Sequence, residues 1–301
     1  MTLRDKQNII APTAEKNPTI HTKHGDVRID DYYWMKLSDE QKMAETSDEH
    51  TAKVVEYLEA ENKYREDMTS HLEGFQEILF EEIKGRIKQD DTSVPYKSNG
   101  YYYITRYETG QEYPIFSRKK NSLENAEEIM LDVNELAKPY SYYNVSGCKV
   151  CSDNKILAYG EDTVSRRQYT LRFKNLETGE MYTDVITNTT GTAVWANDNK
   201  TIFYTRKDAA LRSYKIFKHR LGTNENEDIE VFHEEDDTFN AFVFKTKSDK
   251  YIVIGSWATL SQEFYTLPAD APDDNLALFQ KRENKLEYSI AHYDDKWYIR
   301  T

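Results

Sequence analysis

The chain has 301 residues, 38% hydrophobic and 31% charged, with 13% aromatics; it is long enough for about two domains and too aromatic to be disordered. A formal net charge of −13 excludes the basic footprint of a nucleic-acid binder, and no stretch approaches the ~18 apolar residues of a membrane span. Two cysteines supply no disulfide framework, while 23 tyrosines lean the composition toward β-structure, where a flat ring packs on the pleat and its hydroxyl stays wet.

The first residues, MTLRDKQNIIAPTAEKN, carry no apolar run of signal-peptide length, so the cytoplasm is the expected compartment. Residues 1 to about 45 have weak periodicity. Within them, GDVRIDDYYWMKLSDE reads as an extended segment pinned by the aromatic knot Tyr32, Tyr33 and Trp34. Thr46, with Glu49 three residues on, forms a candidate capping box for a helix. Val54, Tyr57, Leu58, Tyr64, Met68 and Leu72 then mark one helical face, which Gly74 is expected to break. A second short helix carries Phe75, Ile78, Leu79 and Ile83 and ends at Gly85. Both stripes need a partner surface, and none is evident in the first 85 residues.

Beyond Asp90 short β-rich runs alternate with turns. Runs start at Tyr101, Ile156, Ile202, Tyr251 and Trp297, at intervals of 46 to 55 residues, and a D-x-K-type turn precedes most of them. A second strand follows each of the first four, at Tyr113, Tyr169, Lys215 and Phe264, so the repeat is about two hairpins. Four strands in a period of 40–50 residues predict a β-propeller; a two-sheet sandwich would not keep this phase through five copies. The fold class is therefore mainly β: an N-terminal helical arm (1–75) followed by an incomplete β-propeller (76–301) of four full units and the first strand of a fifth. The last residues, DDKWYIRT, stop as a strand begins, and closure of the ring is expected to need further sequence.

No two of the eleven glycines are four apart, so there is no G-x-S-x-G elbow, and the phosphate-binding glycine motifs are missing as well. CKVC (Cys148, Cys151) precedes a strand instead of opening a helix and has no second pair, which favours structural cysteines over redox or zinc chemistry. HTKH (His21, His24) has no third ligand nearby and reads as solvated; no metal and no cofactor are expected. HEEDDT (233–238) reads as a solvated acidic turn, the alternative being a contribution to an acidic rim. The richest polar stretch is EDTVSRRQYTLR. Asp162, Arg166 and Arg167 fall in a turn between two strands, on a rim where partners bind. Its arginines would pair across an interface or hold a carboxylate, the alternative being a salt bridge within the same unit. No catalytic set emerges from the residues alone.

Nine ordered stretches, among them GDVRIDDYYWM, VVEYLEAENKY, LFEEIKGRIKQDDTSVPY, YYYITRYETGQEYPIFSRK, DTVSRRQYTLRFKNLETGE, WANDNKTIFYTRKD and LEYSIAHYDDKWYIRT, resemble the oligopeptidase B (protease II) branch of the prolyl oligopeptidase family, from near His24 to Thr301. The resemblance implies a seven-bladed propeller and an arm that packs on a C-terminal α/β-hydrolase domain with Ser, Asp and His. It implies a serine oligopeptidase that cleaves after Lys or Arg, with basic oligopeptides as substrates and the propeller gating access. No catalytic residue of the family maps onto this sequence. Ser165 departs from the family phrase, where glycine is expected, and Cys148 and Cys151 are unusual. The alternative is a non-catalytic propeller that binds peptides or proteins.

Overall fold

The computed structural model describes residues 9–301, and these divide after Lys88 into two compact units. Position 75, the expected end of the arm, lies inside a helix of the first unit.

The first unit opens with a hairpin, β1 (Thr19–Lys23) and β2 (Asp26–Asp30), whose turn places His24 and Gly25 at positive φ. His21 is not fully solvated: its ring meets Tyr33 edge-on at 4.5 Å. A 3₁₀ turn (Tyr33–Met35) and a short helix α1 (Asp39–Met43) follow, so the segment expected to be extended is in part helical. The aromatic knot is pinned as expected: Trp34 Nε1 donates to the Glu15 carbonyl at 2.9 Å and its ring meets Tyr57 edge-on.

Helix α2 (Glu49–Thr69) is capped by Asp48, not Thr46, because the Asp48 carboxylate accepts from Thr51 N at 2.6 Å. Gln41 donates to the other oxygen, and the side-chain and backbone bonds together hold this carboxyl at about 2. The break falls at a 3₁₀ turn, Ser70–Leu72, and Gly74 sits in the first turn of α3 (Glu73–Gly85). α3 ends at Gly85 as expected, and Phe75, Ile78, Phe80 and Ile83 on it are more than half exposed.

The second unit is built from antiparallel sheets. The first contains β3 (Asp91–Thr92), β4 (Tyr96–Ser98), β5 (Tyr101–Tyr107), β6 (Ile115–Lys120) and β7 (Glu127–Asp132). β3 and β4 both pair with β5; Pro95 between them removes a ladder donor. A short helix α4 (Val133–Ala137), capped by Asp132, leads to a seven-stranded sheet. Its strands are β8 (Asn144–Val150), β9 (Ile156–Asp162), β10 (Tyr169–Asn175), β11 (Met181–Trp195), β12 (Thr201–Lys207), β13 (Ser213–Arg220) and β14 (Ile229–His233). The third sheet holds β15 (Asn240–Lys245), β16 (Tyr251–Ala258), β17 (Ser261–Pro268) and β18 (Ala277–Gln280). A final hairpin joins β19 (Ser289–Tyr293) to β20 (Lys296–Arg300). The strand at Trp297 is thus the second of its unit, not the first, because Ser289–Tyr293 precedes it.

β11 serves two partners. Its first half, to Thr189, pairs with β10; from Thr189 on it pairs with β12. Asn188 and Gly191, both at positive φ, kink it between the halves. The chain therefore folds back on itself, and Leu171, Phe173 and Ile186 pack against Trp195, Ile202 and Tyr204 across the kink. Side chains alternate along each strand, so Phe203 faces the other way and joins Ile252, Ile254 and Leu267 of the third sheet. Tyr103 and Met130 of the first sheet meet Leu157 and Tyr159, and Val253 and Phe264 meet Tyr288 and Ile290. Each sheet's core is thus its neighbour. Burial on both faces explains strands such as TIFYT and YIVIGS that are apolar almost throughout.

The recurring turn phrase has a second use. Asn99, Asn154, Asn199, Asp249 and Asp294 all lie at positive φ in the tight turns before β5, β9, β12, β16 and β20, a conformation Asn and Asp tolerate. Successive turns are also bonded to one another. Asn154 donates to the Asn99 carbonyl at 3.2 Å, Ser152 to Asn199 Oδ1 at 2.8 Å and Asn197 to the Asp249 carbonyl at 3.0 Å, and Lys250 pairs with Asp295. The phrase recurs because each copy closes a hairpin and stitches it to the next.

Candidate functional site

The sequence points to the β9–β10 loop, and the structure gives its three named residues different tasks. Asp162, 2% exposed, spends its carboxylate on the loop's own amides: Val164 N donates to Oδ1 at 2.9 Å and Arg167 N to Oδ2 at 2.7 Å. It is the residue that shapes the loop. Arg166 and Arg167 project into solvent, and neither makes an ion pair among the described residues. Arg106, Arg118, Arg172, Arg206, Arg212 and Arg282 of the same unit all do. A salt bridge within the unit therefore does not account for the Arg pair.

Lys207, at the end of β12, was missed by sequence reasoning. Its ammonium donates to the Arg167 carbonyl across the sheet. Burial and then the nearby Arg167 charge lower its pKa from the usual lysine value, against a smaller opposing pull from Asp162. The loop thus gathers three cations, two of them solvent-facing, on a chain that is acidic overall. Such a cluster is chemically suited to a carboxylate.

The loop is held in a costly backbone conformation. Ser165 has φ +63° and Arg167 φ +55°. For a side-chain-bearing residue this region costs about 1 kcal/mol or more. The glycine expected at 165 from the family phrase would sit there without that cost. Ser165→Gly is accordingly expected to raise stability by ~0.5–1 kcal/mol, read as a higher urea midpoint at unchanged m-value. A lower midpoint would show that the serine side chain is needed.

A second polar cluster lies at the β14–β15 and β18–β19 connections. HEEDDT is not simply a solvated turn: Glu234 is 3% exposed. Arg282 Nη2 donates to Glu234 Oε2 at 2.6 Å and also to Glu263, itself 4% exposed, while Ser256 Oγ donates to Glu234. The Arg282 guanidinium stacks 4.1 Å over the Phe239 ring. Arg212 ties the same connection down by donating to the Asp236 and Phe239 carbonyls. Arg282 and Glu234 are 48 residues apart, and no local pattern links them.

The cysteines are structural in their contacts. Both are free; Cys151 Sγ donates to Asp153 Oδ1 and accepts from Ile156 N, closing the turn before β9. Burial pushes the thiols up, Cys148 to about 12 and Cys151 to about 11, far from the thiolate that redox chemistry requires.

Stacked four-stranded antiparallel units, each the core of the next and carrying polar loops on a rim, define a protein of the β-propeller class. More narrowly, residues 12–301 match the family described as "Prolyl oligopeptidase, N-terminal beta-propeller domain", and the chain belongs to that family. Among curated relatives it is 38% identical to the dipeptidyl aminopeptidase BI of Pseudoxanthomonas mexicana and 33% identical to protease 2 of Moraxella lacunata, covering 96% of this chain in each case. The solved oligopeptidase B from Leishmania major superposes on 95% of the chain with a TM-score of 0.84 at 26% identity. The chain spans 41% of the length of each of these three proteins.

Proposed function

We propose that this chain is the arm and propeller front of a serine oligopeptidase of the oligopeptidase B type, which cleaves peptides after Lys or Arg in the cytoplasm. The observation that carries the reading is the family match over residues 12–301, together with a span of only 41% of relatives that are peptidases. In this reading the first sheet, the two halves of the seven-stranded sheet and the third sheet are four blades of a seven-bladed ring. β19 and β20 begin a fifth. Catalysis resides in an α/β-hydrolase domain of the same polypeptide, outside this chain, where serine attacks the peptide carbonyl, histidine takes its proton and aspartate orients the imidazole. The arm docks on that domain, and the exposed α3 residues Phe75, Ile78 and Ile83 supply the apolar face for it. The acidic field of the chain favours basic peptides at the entrance.

The experiment is direct. The whole gene product should cleave an internal Arg bond in a fluorogenic peptide, and the 301-residue chain alone should not. Turnover by the isolated chain, or a full-length protein blind to Lys and Arg, would overturn the reading. The 38% identity to a dipeptidyl aminopeptidase supports a second reading, removal of dipeptides from a free N-terminus. An N-acetylated substrate separates the two, since only an endopeptidase cuts it.

Asp162, Arg166 and Arg167 are placed by this reading at the substrate channel or the interdomain face, with the two guanidiniums meeting a carboxylate of the hydrolase domain or of the peptide. Replacing both arginines by Ala in the full-length enzyme should lower kcat/KM by about tenfold, the loss of ~1.4 kcal/mol. Because both side chains are solvent-facing, stability should stay within ~0.5 kcal/mol. Unchanged kcat/KM would remove the pair from the site.

A further inference from the structure

We propose that His219 is a proton-operated clasp between the two halves of the seven-stranded sheet: its doubly protonated ring ties Asp184 of β11 to Asp228 ahead of β14, and loss of one proton releases the β13–β14 turn. The geometry demands the proton. His219 Nδ1 lies 2.6 Å from Asp228 Oδ1 and Nε2 lies 3.1 Å from Asp184 Oδ1, and all three side chains are 0–2% exposed. A neutral imidazole has one donor and one acceptor, so one ring nitrogen would present a lone pair to a buried carboxylate. Only the imidazolium donates to both.

The carboxylates are fixed by their other bonds. Tyr204 of β12 donates to Asp228 Oδ2 at 2.7 Å, and Gly222 N, in the β13–β14 turn, donates to Asp184 Oδ1. The remaining charges near the cluster come from β12, where Arg206 reaches the Tyr204 hydroxyl and pairs with Glu225, from Glu227 in the turn, and from Lys218, paired with Asp273, and Arg220 on β13. β10 contributes the Phe173 ring, stacked at 6.1 Å, and no charge. A cavity of about 230 Å³, lined by His219, Thr223, Glu227 and Asp228, gives the proton a way out.

Burial disfavours the imidazolium, but the bonds and charges of Asp228 and Asp184 outweigh it and raise the His219 pKa above its ordinary 6.5. The sign follows. The clasp is fully closed below 6.5, the value expected when the turn is open, and weakens as pH rises toward the raised closed-state value. Over that interval one proton makes turn opening up to tenfold more favourable per pH unit, and above it the dependence flattens.

Two measurements on the protein test this. In histidine-selective nitrogen NMR, both His219 ring nitrogens should carry protons at pH 7; a neutral ring would overturn the proposal. In hydrogen exchange from pH 6 to 9, corrected for chemical rate, the segment 221–228 should lose protection while the β16–β17 turn does not. Parallel behaviour of the two segments would equally overturn it. His219→Gln should expose the segment already at pH 6 with no further pH dependence, and retention of the wild-type dependence would sink the assignment. If that variant does not fold, the nitrogen spectrum of the wild-type chain still decides.

Discussion

Gly160→Ala is expected to destabilise the second unit by ~3 kcal/mol or more, the upper end for overpacking, because nothing around the new methyl group can move. Gly160 on β9 and Gly147 on β8 both lie against Gly191, the kink residue of β11. A Cβ on Gly160 would stand 2.4 Å from Gly191 Cα and 2.6 Å from its carbonyl oxygen, and one on Gly147 would stand 2.0 Å from that same oxygen. These are backbone atoms, so no side-chain rotation relieves the clash. Gly191 is closed in from its other side by the Tyr169 ring, whose hydroxyl donates to Asn144 at the start of β8. The check is a thermal melt, where a loss of this size lowers Tm by roughly 6–12 °C for a unit of this length. By contrast Gly179→Ala, at a hairpin turn with open space around it, should lose only what its φ of +79° imposes, about 1 kcal/mol. Equal losses at 160 and 179 would mean that the three-glycine contact has room for a methyl group.

Arg282→Met should cost ~3–5 kcal/mol at neutral pH, because it leaves Glu234 and Glu263 buried and without a cation. The methionine keeps an aliphatic stem of similar length but removes the guanidinium that stacks over Phe239, so the loss joins the two ion pairs to the cation–π contact, all of them electrostatic. It also carries a pH signature. Burial alone would raise the Glu263 carboxyl, but hydrogen bonds and charge from Arg282 overcome this and leave it below its ordinary value. In the wild type this stabilisation is present above about pH 4.5 and is lost as pH falls through the lowered folded-state value. In the variant the residue-282 amide and the Tyr265 hydroxyl still donate to Glu263, but the guanidinium that offset burial is gone, so the Glu263 carboxyl takes up a proton more readily on acidification than in the wild type. Urea melts of both proteins from pH 8 to pH 5 should therefore converge as the solution becomes more acid. A gap that stays constant with pH would assign the loss to packing.

What the sequence disclosed follows its range of interaction. The turn phrases were legible because a tight turn is local: Asn154, Asn199 and Asp249 need only their neighbours to set φ, and their recurrence revealed the repeat. Apolar runs such as IFYT were legible for the same reason. Errors entered where neighbouring residues compete for one role. Thr46, Ser47 and Asp48 are all good caps, and Asp48 prevails through bonds to Thr51 and Gln41 that spacing alone does not rank. The strand at Ser289–Tyr293 was overlooked because its charged and polar surroundings hide a short alternation. Of the candidate site, the loop and its arginines were visible as a polar turn, whereas Lys207 was not, since it reaches Arg167 only through the fold of the sheet. The Arg282 and His219 clusters were equally out of reach. Their partners lie 9 to 48 residues away and meet only after the sheets have stacked.

The shared strand β11 has a mechanical meaning. Neighbouring sheets elsewhere in this unit are joined by separate connecting segments instead of a shared strand, and they touch mainly through side chains. At β11 a continuous hydrogen-bonded ribbon runs from one four-stranded half into the next, so the two halves form a welded segment in a chain of otherwise jointed plates. Any flexing that admits a large molecule between sheets must then concentrate at the connections 133–143, 234–239 and 281–288, and the stretch from Asn144 to His233 will travel as one piece.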